Sequence, residues 1–175
     1  DYIRFVSDLD IKQRRQETDK FDEPAIESMP EGSSHPYFYK GNGGLDFKDV
    51  SDEWGTGKMK GYYTGASYAD LDNDGNLDVI INPIESPAVI LKNNTPPKNM
   101  VDFVMKGDSM NRFGIGTKVW LFAGGKMQYQ QLMLTRGFQS SSDTRLHFGL
   151  DSLHNIDSIL IVWPNQRYQL LKGIP

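Results

Sequence analysis

The chain has 175 residues, 38% of them hydrophobic and 11% aromatic, which is apolar enough for a core and too apolar for full disorder. Its formal net charge of −4 argues against a dedicated nucleic-acid binder. It has no cysteine, which excludes disulfides, thiolate metal sites and a cysteine nucleophile, and no run of about 18 apolar residues offers a membrane span.

Taken in chain order, the first segment is helical in pattern. Tyr2, Phe5, Val6 and Leu9 fall at helical spacing, and the polar stretch Lys12 to Lys20 contains strong helix formers. This predicts a short N-terminal helix over roughly residues 1–20, followed by a link through Pro24 and Pro30. Residues 1–35 are therefore read as a helical segment and linker.

From Tyr37 the pattern turns to β. Tyr37-Phe38-Tyr39-Lys40 is aromatic-rich, Gly41-Asn42-Gly43-Gly44 suits a tight turn, and Leu45, Phe47 and Val50 continue as a strand. Leu77, Val79 and Ile81 alternate, and Ala88–Leu91 is a short apolar run. Further strands are predicted at Val101–Met105, Lys118–Phe122, Gln128–Leu134, Arg145–Phe148 and Ser158–Val162, with a hairpin at Gly124-Gly125. Thr95-Pro96-Pro97 separates two groups of strands, so the β part divides into residues 36–95 and 96–175.

Charge follows a similar division. Residues 46–85 hold nine acids and three bases, whereas residues 86–175 hold five acids and ten bases. Blocks of this kind suggest units with different surfaces, and the basic half favours an acidic ligand such as an anionic glycan.

The sharpest chemical signal is Asp70-Leu71-Asp72-Asn73-Asp74-Gly75-Asn76-Leu77-Asp78. Acids at alternate positions, then a glycine, then a further acid make a loop for a hard cation. Ca²⁺ takes six to eight oxygens at about 2.3–2.6 Å. Four carboxylates this close repel one another unless a cation offsets them. The side chains of Asp70, Asp72, Asp74 and Asp78 and the carbonyl of Asn76 are the expected Ca²⁺ ligands. The loop is not an EF-hand, because the twelfth position is Ile81 where a bidentate Glu belongs. A catalytic pair is a poorer account, since acid–base work needs carboxylates with pKa values pushed apart across a cleft.

Other residues carry weaker signals. His147 lies between Leu146 and Phe148 in an expected strand, on the opposite side of the sheet from both. It is a candidate ligand-binding residue together with Arg136, although a structural side chain satisfied by a hydrogen bond is the commoner role. Trp163 is a candidate aromatic platform for a sugar, or a half-buried residue at a strand end. His35 and His154 show no metal spacing. Ser140-Ser141-Ser142-Asp143 lacks the strand–elbow–helix context of a nucleophile, and Gly114-Ile115-Gly116 lacks the third glycine of a dinucleotide fingerprint and reads as a strand-entry turn.

The segment Tyr68 to Val79 resembles the FG-GAP (VCBS-type) repeat of integrin-like β-propellers, and Tyr39 to Ser51 resembles the outer hairpin of that repeat. The second half resembles the ASPIC/UnbV domain that follows such propellers. It does so through Asn111-Arg112-Phe113-Gly114-Ile115-Gly116-Thr117-Lys118-Val119, Thr135 to Ser141, Leu146-His147-Phe148-Gly149-Leu150 and Val162-Trp163-Pro164-Asn165. The whole is similar to the C-terminal part of cartilage-acidic-protein-like proteins of the bacterial type. The resemblance implies a Ca²⁺ site at Asp70, Asp72, Asp74 and Asp78.

The expected fold is mainly β: one propeller-type blade or partial propeller with a Ca²⁺ loop, a C-terminal antiparallel β-sandwich-like unit, and the short N-terminal helix. Propellers need several blades to bury their sheet faces. The chain therefore reads as a fragment of a longer secreted protein, or else as a blade packed on the C-terminal unit. The C-terminal domain reads as truncated, because the family continues into another strand beyond Leu170 to Pro175. The expected function is a non-catalytic extracellular Ca²⁺-binding module for adhesion or for recognition of a glycan or protein ligand, in a secreted, periplasmic or cell-surface protein. Alternatives are an accessory domain of a polysaccharide-processing enzyme and a purely structural propeller element. No nucleic-acid partner is expected.

Overall fold

The computed structural model describes residues 31–174. The helix expected over roughly residues 1–20 lies outside the described residues. Among those described there is no helix, and every regular element is a strand in an open antiparallel sheet. None of the sheets closes into a barrel. The chain divides into two units, Asp1–Tyr62 and Tyr63–Pro175.

In the first unit, β1 (Tyr39–Gly41) pairs with β2 (Phe47–Asp49) as a hairpin. Its turn is an Asx turn, in which the Asn42 side chain accepts a hydrogen bond from the Gly44 amide at 3.0 Å. Both strands are exposed, and the buried residues lie just after them at Val50, Ser51 and Thr56. Burying the two hydroxyls requires partners. Ser51 donates to Asp49 at 2.6 Å and accepts from the Phe38 amide, and Thr56 donates to the Pro36 carbonyl at 2.9 Å. The Ser51 hydroxyl and amide hold the Asp49 carboxyl below its usual range.

The second unit opens with a three-stranded sheet of β3 (Tyr63–Ala69), β4 (Asp78–Pro83) and β5 (Val89–Leu91) in the order β3-β4-β5. The strands read as one blade thus fall in two sheets, β1–β2 and β3–β5, on either side of the division at Tyr62. Pro96 and Pro97, where the sequence suggests a boundary, lie inside the second unit.

The rest of the second unit holds the main core. β6 (Asn99–Val104) pairs with β11 (Arg145–Asp151). β7 (Lys118–Ala123), β8 (Lys126–Gln131), β12 (Ile156–Val162) and β13 (Tyr168–Ile174) form a sheet in the order β13-β12-β7-β8. Alternation drives the arrangement, because side chains two apart share a face. Val119, Leu121 and Ala123 from β7 are buried with Leu146, Phe148 and Leu150 from β11 and Ile159 and Ile161 from β12. Phe103 of β6 meets Phe148 edge-on, with centroids 5.4 Å apart. The two sheets therefore share one apolar core.

Turn chemistry sets the registers. Gly124 and Gly125 carry φ values of +55° and +73°, the mirror-type two-residue turn that matches strand twist, and Ala123 pairs with Lys126 across it. β13 was not among the strands expected from sequence. It is an almost wholly exposed edge strand, so its pattern lacks the alternation that marks a buried one. A small hairpin of β9 (Thr135–Gly137) and β10 (Ser140–Ser141) lies beside β3, where Ser67 donates to the Ser141 carbonyl at 2.9 Å.

Candidate functional site

The Asp-rich segment forms the connection between β3 and β4. Asn73 and Gly75 both take positive φ, +59° and +88°, which folds the loop back on itself. One carboxylate oxygen each from Asp70, Asp72 and Asp74 lie within 4.8 Å of one another. Asp70 is only 9% exposed, and its two oxygens accept the Asp74 and Gly75 amides at 3.1 and 3.0 Å. Asp74 accepts the Asn76 amide at 2.8 Å. Asp70 and Asp74 thus also build the loop that aims them.

Asp78 is 3% exposed and stands outside that triad. Its oxygens accept the Leu71 amide at 3.3 Å and the Asn93 amide at 2.8 Å, tying the start of the loop to the chain after β5. The Asn76 side chain donates to the Thr95 carbonyl at 3.0 Å. The structure therefore brings three of the four expected carboxylates into one cluster, while Asp78 and the Asn76 side chain brace the same loop.

The donor set fits a hard cation, since all of its side-chain groups are carboxylate oxygens. The loop also has a cation of its own. The Lys92 ammonium contacts Asp72 directly and lies 3.8 Å from Asp74. The hydrogen bond to Lys92 holds the Asp72 carboxyl below its usual range, and the same bond raises the Lys92 amine. A positive charge at this point is what the clustered acids require, and the side chain of Lys92 supplies one.

Arg136 and His147, eleven positions apart in sequence, line one cleft of about 470 Å³ with Tyr68, Tyr129, Asp143 and Arg145. His147 is directly opposite Asp102 on the β6–β11 pair, with Nδ1 2.8 Å from Oδ1. Arg145 bonds Asp143 at 2.5 Å and lies 3.9 Å from Asp102. Burial opposes ionisation of Asp143, but the Arg145 hydrogen bond and the Thr144 amide outweigh it and leave its carboxyl low. His147 is thus satisfied by a carboxylate. Arg136 donates to the Gln131 carbonyl at 3.1 Å and has no acidic partner among the described residues.

Trp163 follows β12 and is half-buried, packed on the core. Its indole donates to Gln169 at 3.3 Å. It lies in a second cleft with Lys106, Arg167 and Tyr168, residues that sequence reasoning did not single out. Their signal is weak in sequence because two isolated bases and a tyrosine are ordinary surface residues. Gly114 and Gly116, with φ of +63° and +93°, form the entry turn to β7 as expected.

Fold and sites define a mainly β protein with a carboxylate-clustered loop and two clefts. Residues 107–175 match the family model described as ASPIC and UnbV. That segment contains all four motifs that carried the resemblance to this domain. No curated protein matches the chain.

Proposed function

We propose that this chain is a non-catalytic, extracellular Ca²⁺-binding module for adhesion or ligand recognition. The observation that carries the reading is the carboxylate triad of Asp70, Asp72 and Asp74, gathered within 4.8 Å on a loop whose backbone Asp70 and Asp74 organise. Bound Ca²⁺ supplies two positive charges that offset carboxylate repulsion and pin the β3–β4 connection. Asp78 and the Asn76 carbonyl complete the ligand set in this reading. We further propose that β3–β5 with this loop is an FG-GAP-type repeat ahead of an ASPIC/UnbV-type domain, in a cartilage-acidic-protein-like protein that is secreted, periplasmic or on the cell surface. The antiparallel sheet flanking an Asp-rich turn and the match over residues 107–175 support that order.

Calorimetric titration of chelator-stripped protein with Ca²⁺, with Asp74→Ala as control, tests the metal site. Extracellular Ca²⁺ modules bind with dissociation constants of about 10⁻⁴–10⁻³ M. Uptake by the wild type that the variant lacks supports the reading. A folded wild type that takes up no Ca²⁺ up to about 10 mM, tenfold above that range, removes it.

A further inference from the structure

We propose that the cleft beside Trp163 is a binding site for an acidic saccharide whose charge is a ring carboxylate. The inference rests on the recognition-module reading and gives it a location and a ligand class, but it uses no residue of the Asp loop.

The cleft has a volume of about 490 Å³, within the range of roughly 300–1,000 Å³ common to small-molecule sites. It is formed where the Gly107–Gly114 turn meets the hairpin that joins β12 to β13. Each wall has a structural reason. The Asp108 carboxylate accepts the Met110 and Asn111 amides at 3.1 and 2.9 Å, and the Asn111 side chain bonds both the amide and the carbonyl of Ile115. On the facing side, Asn165 accepts the Arg167 amide at 3.1 Å.

Three chemistries converge there. Lys106 and Arg167 are exposed and have no acidic partner among the described residues. The one acid of the lining, Asp108, accepts two amides of its own turn on one oxygen, Oδ1, and forms no ion pair with Lys106 or Arg167 among the described residues. Two cations against one carboxylate leave the lining net positive, which favours an anionic group, and a guanidinium takes a carboxylate in a two-point contact. Trp163 and the 72% exposed Tyr168 add aromatic surface with a polar edge. The apolar C–H face of a pyranose stacks on such a ring. Asn165 and Gln169 contribute amides, which both donate to and accept from hydroxyls. A neutral sugar leaves the two cations without a partner. A nucleic acid is disfavoured by the chain's net charge of −4 and by the small number of cations at the cleft.

The test compares a β-1,4-linked glucuronic acid trisaccharide with cellotriose, which has the same backbone with a neutral hydroxymethyl group in place of each carboxylate. Each is titrated into the full chain, with Ca²⁺ and again with chelator. The acidic trisaccharide is expected to bind at least about tenfold tighter than cellotriose and to weaken as salt rises from 0.05 to 0.5 M. Lys106→Gln with Arg167→Gln is expected to cost about tenfold or more, and Tyr168→Ala to weaken both sugars, because these exposed side chains are not needed for folding. Equal binding of the two trisaccharides, insensitivity to the double substitution, or binding of neither overturns the proposal. The two readings fail separately. Saccharide binding that survives chelator and Asp74→Ala, in a chain without Ca²⁺ uptake, removes the metal site and keeps the cleft. Ca²⁺ uptake without saccharide binding does the reverse.

Discussion

His147 and Asp102 face each other across β11 and β6, with Nδ1 and Oδ1 2.8 Å apart and both side chains at most 20% exposed. Arg145, two residues along β11, also approaches Asp102, at 3.9 Å. One carboxylate thus serves two basic side chains on a neighbouring strand. Asp102→Ala leaves both less satisfied in a half-buried place. It should destabilise the protein by about 1–3 kcal/mol in urea unfolding. Asp102→Asn, which keeps a side-chain acceptor, should cost less. Equal stability of Asp102→Ala and wild type contradicts this account.

Acid stability follows from the lowered carboxyls. Asp143 lies below the ordinary value of 3.8 in the folded chain, as does Asp151 beside Lys98. A group lowered by folding binds more protons when unfolded, so stability rises with pH across its window. The contribution is complete above the ordinary value of 3.8 and is lost as pH falls below it toward the lowered native values. Melting temperature measured from pH 6 to pH 2.5 should fall mainly below about pH 4, and Asp143→Asn should flatten that fall.

Lys92 already contacts the acids that the proposed metal ion would need. Its ammonium contacts Asp72 and lies 3.8 Å from Asp74, so a dication arriving there meets a like charge. Lys92→Gln should tighten Ca²⁺ binding several-fold in the calorimeter and weaken the metal-free loop. An unchanged or poorer affinity shows that the ammonium does not oppose the ion.

Gly114 is buried at a φ of +63°, and a Cβ there would lie 3.0 Å from Met105 Cβ and 3.1 Å from Trp163 Cζ3. Gly114→Ala therefore combines backbone strain with overpacking. It should cost about 2–4 kcal/mol by thermal or urea unfolding. A fully stable variant would show that the turn can relax without moving Trp163.

What the sequence determined by itself is local. The carboxylate cluster of the Asp70–Asp78 loop is legible because its acids, their spacing and the glycine lie within nine residues. The Gly124-Gly125 hairpin is legible because its turn geometry depends on two adjacent residues. Strands with one buried face, such as β7 and β11, announce themselves by alternation. β13 does not, because both of its faces are left exposed and neither selects apolar residues.

Tertiary structure decided the rest. It set Asp102 against His147, 45 positions apart, through a strand register that no local pattern encodes. It assigned Asp78 to backbone amides just after both neighbouring strands, β3 and β5, and brought Lys92 onto the acids. It joined Lys106 to Trp163 and Arg167 in one cleft. It also drew the division of the chain at Tyr62, ahead of the sheet that the proline-rich stretch follows. The physical reason is common to all four. Spacing along the chain governs which groups one turn can gather, whereas pairing between distant strands is chosen by burial of the whole core at once.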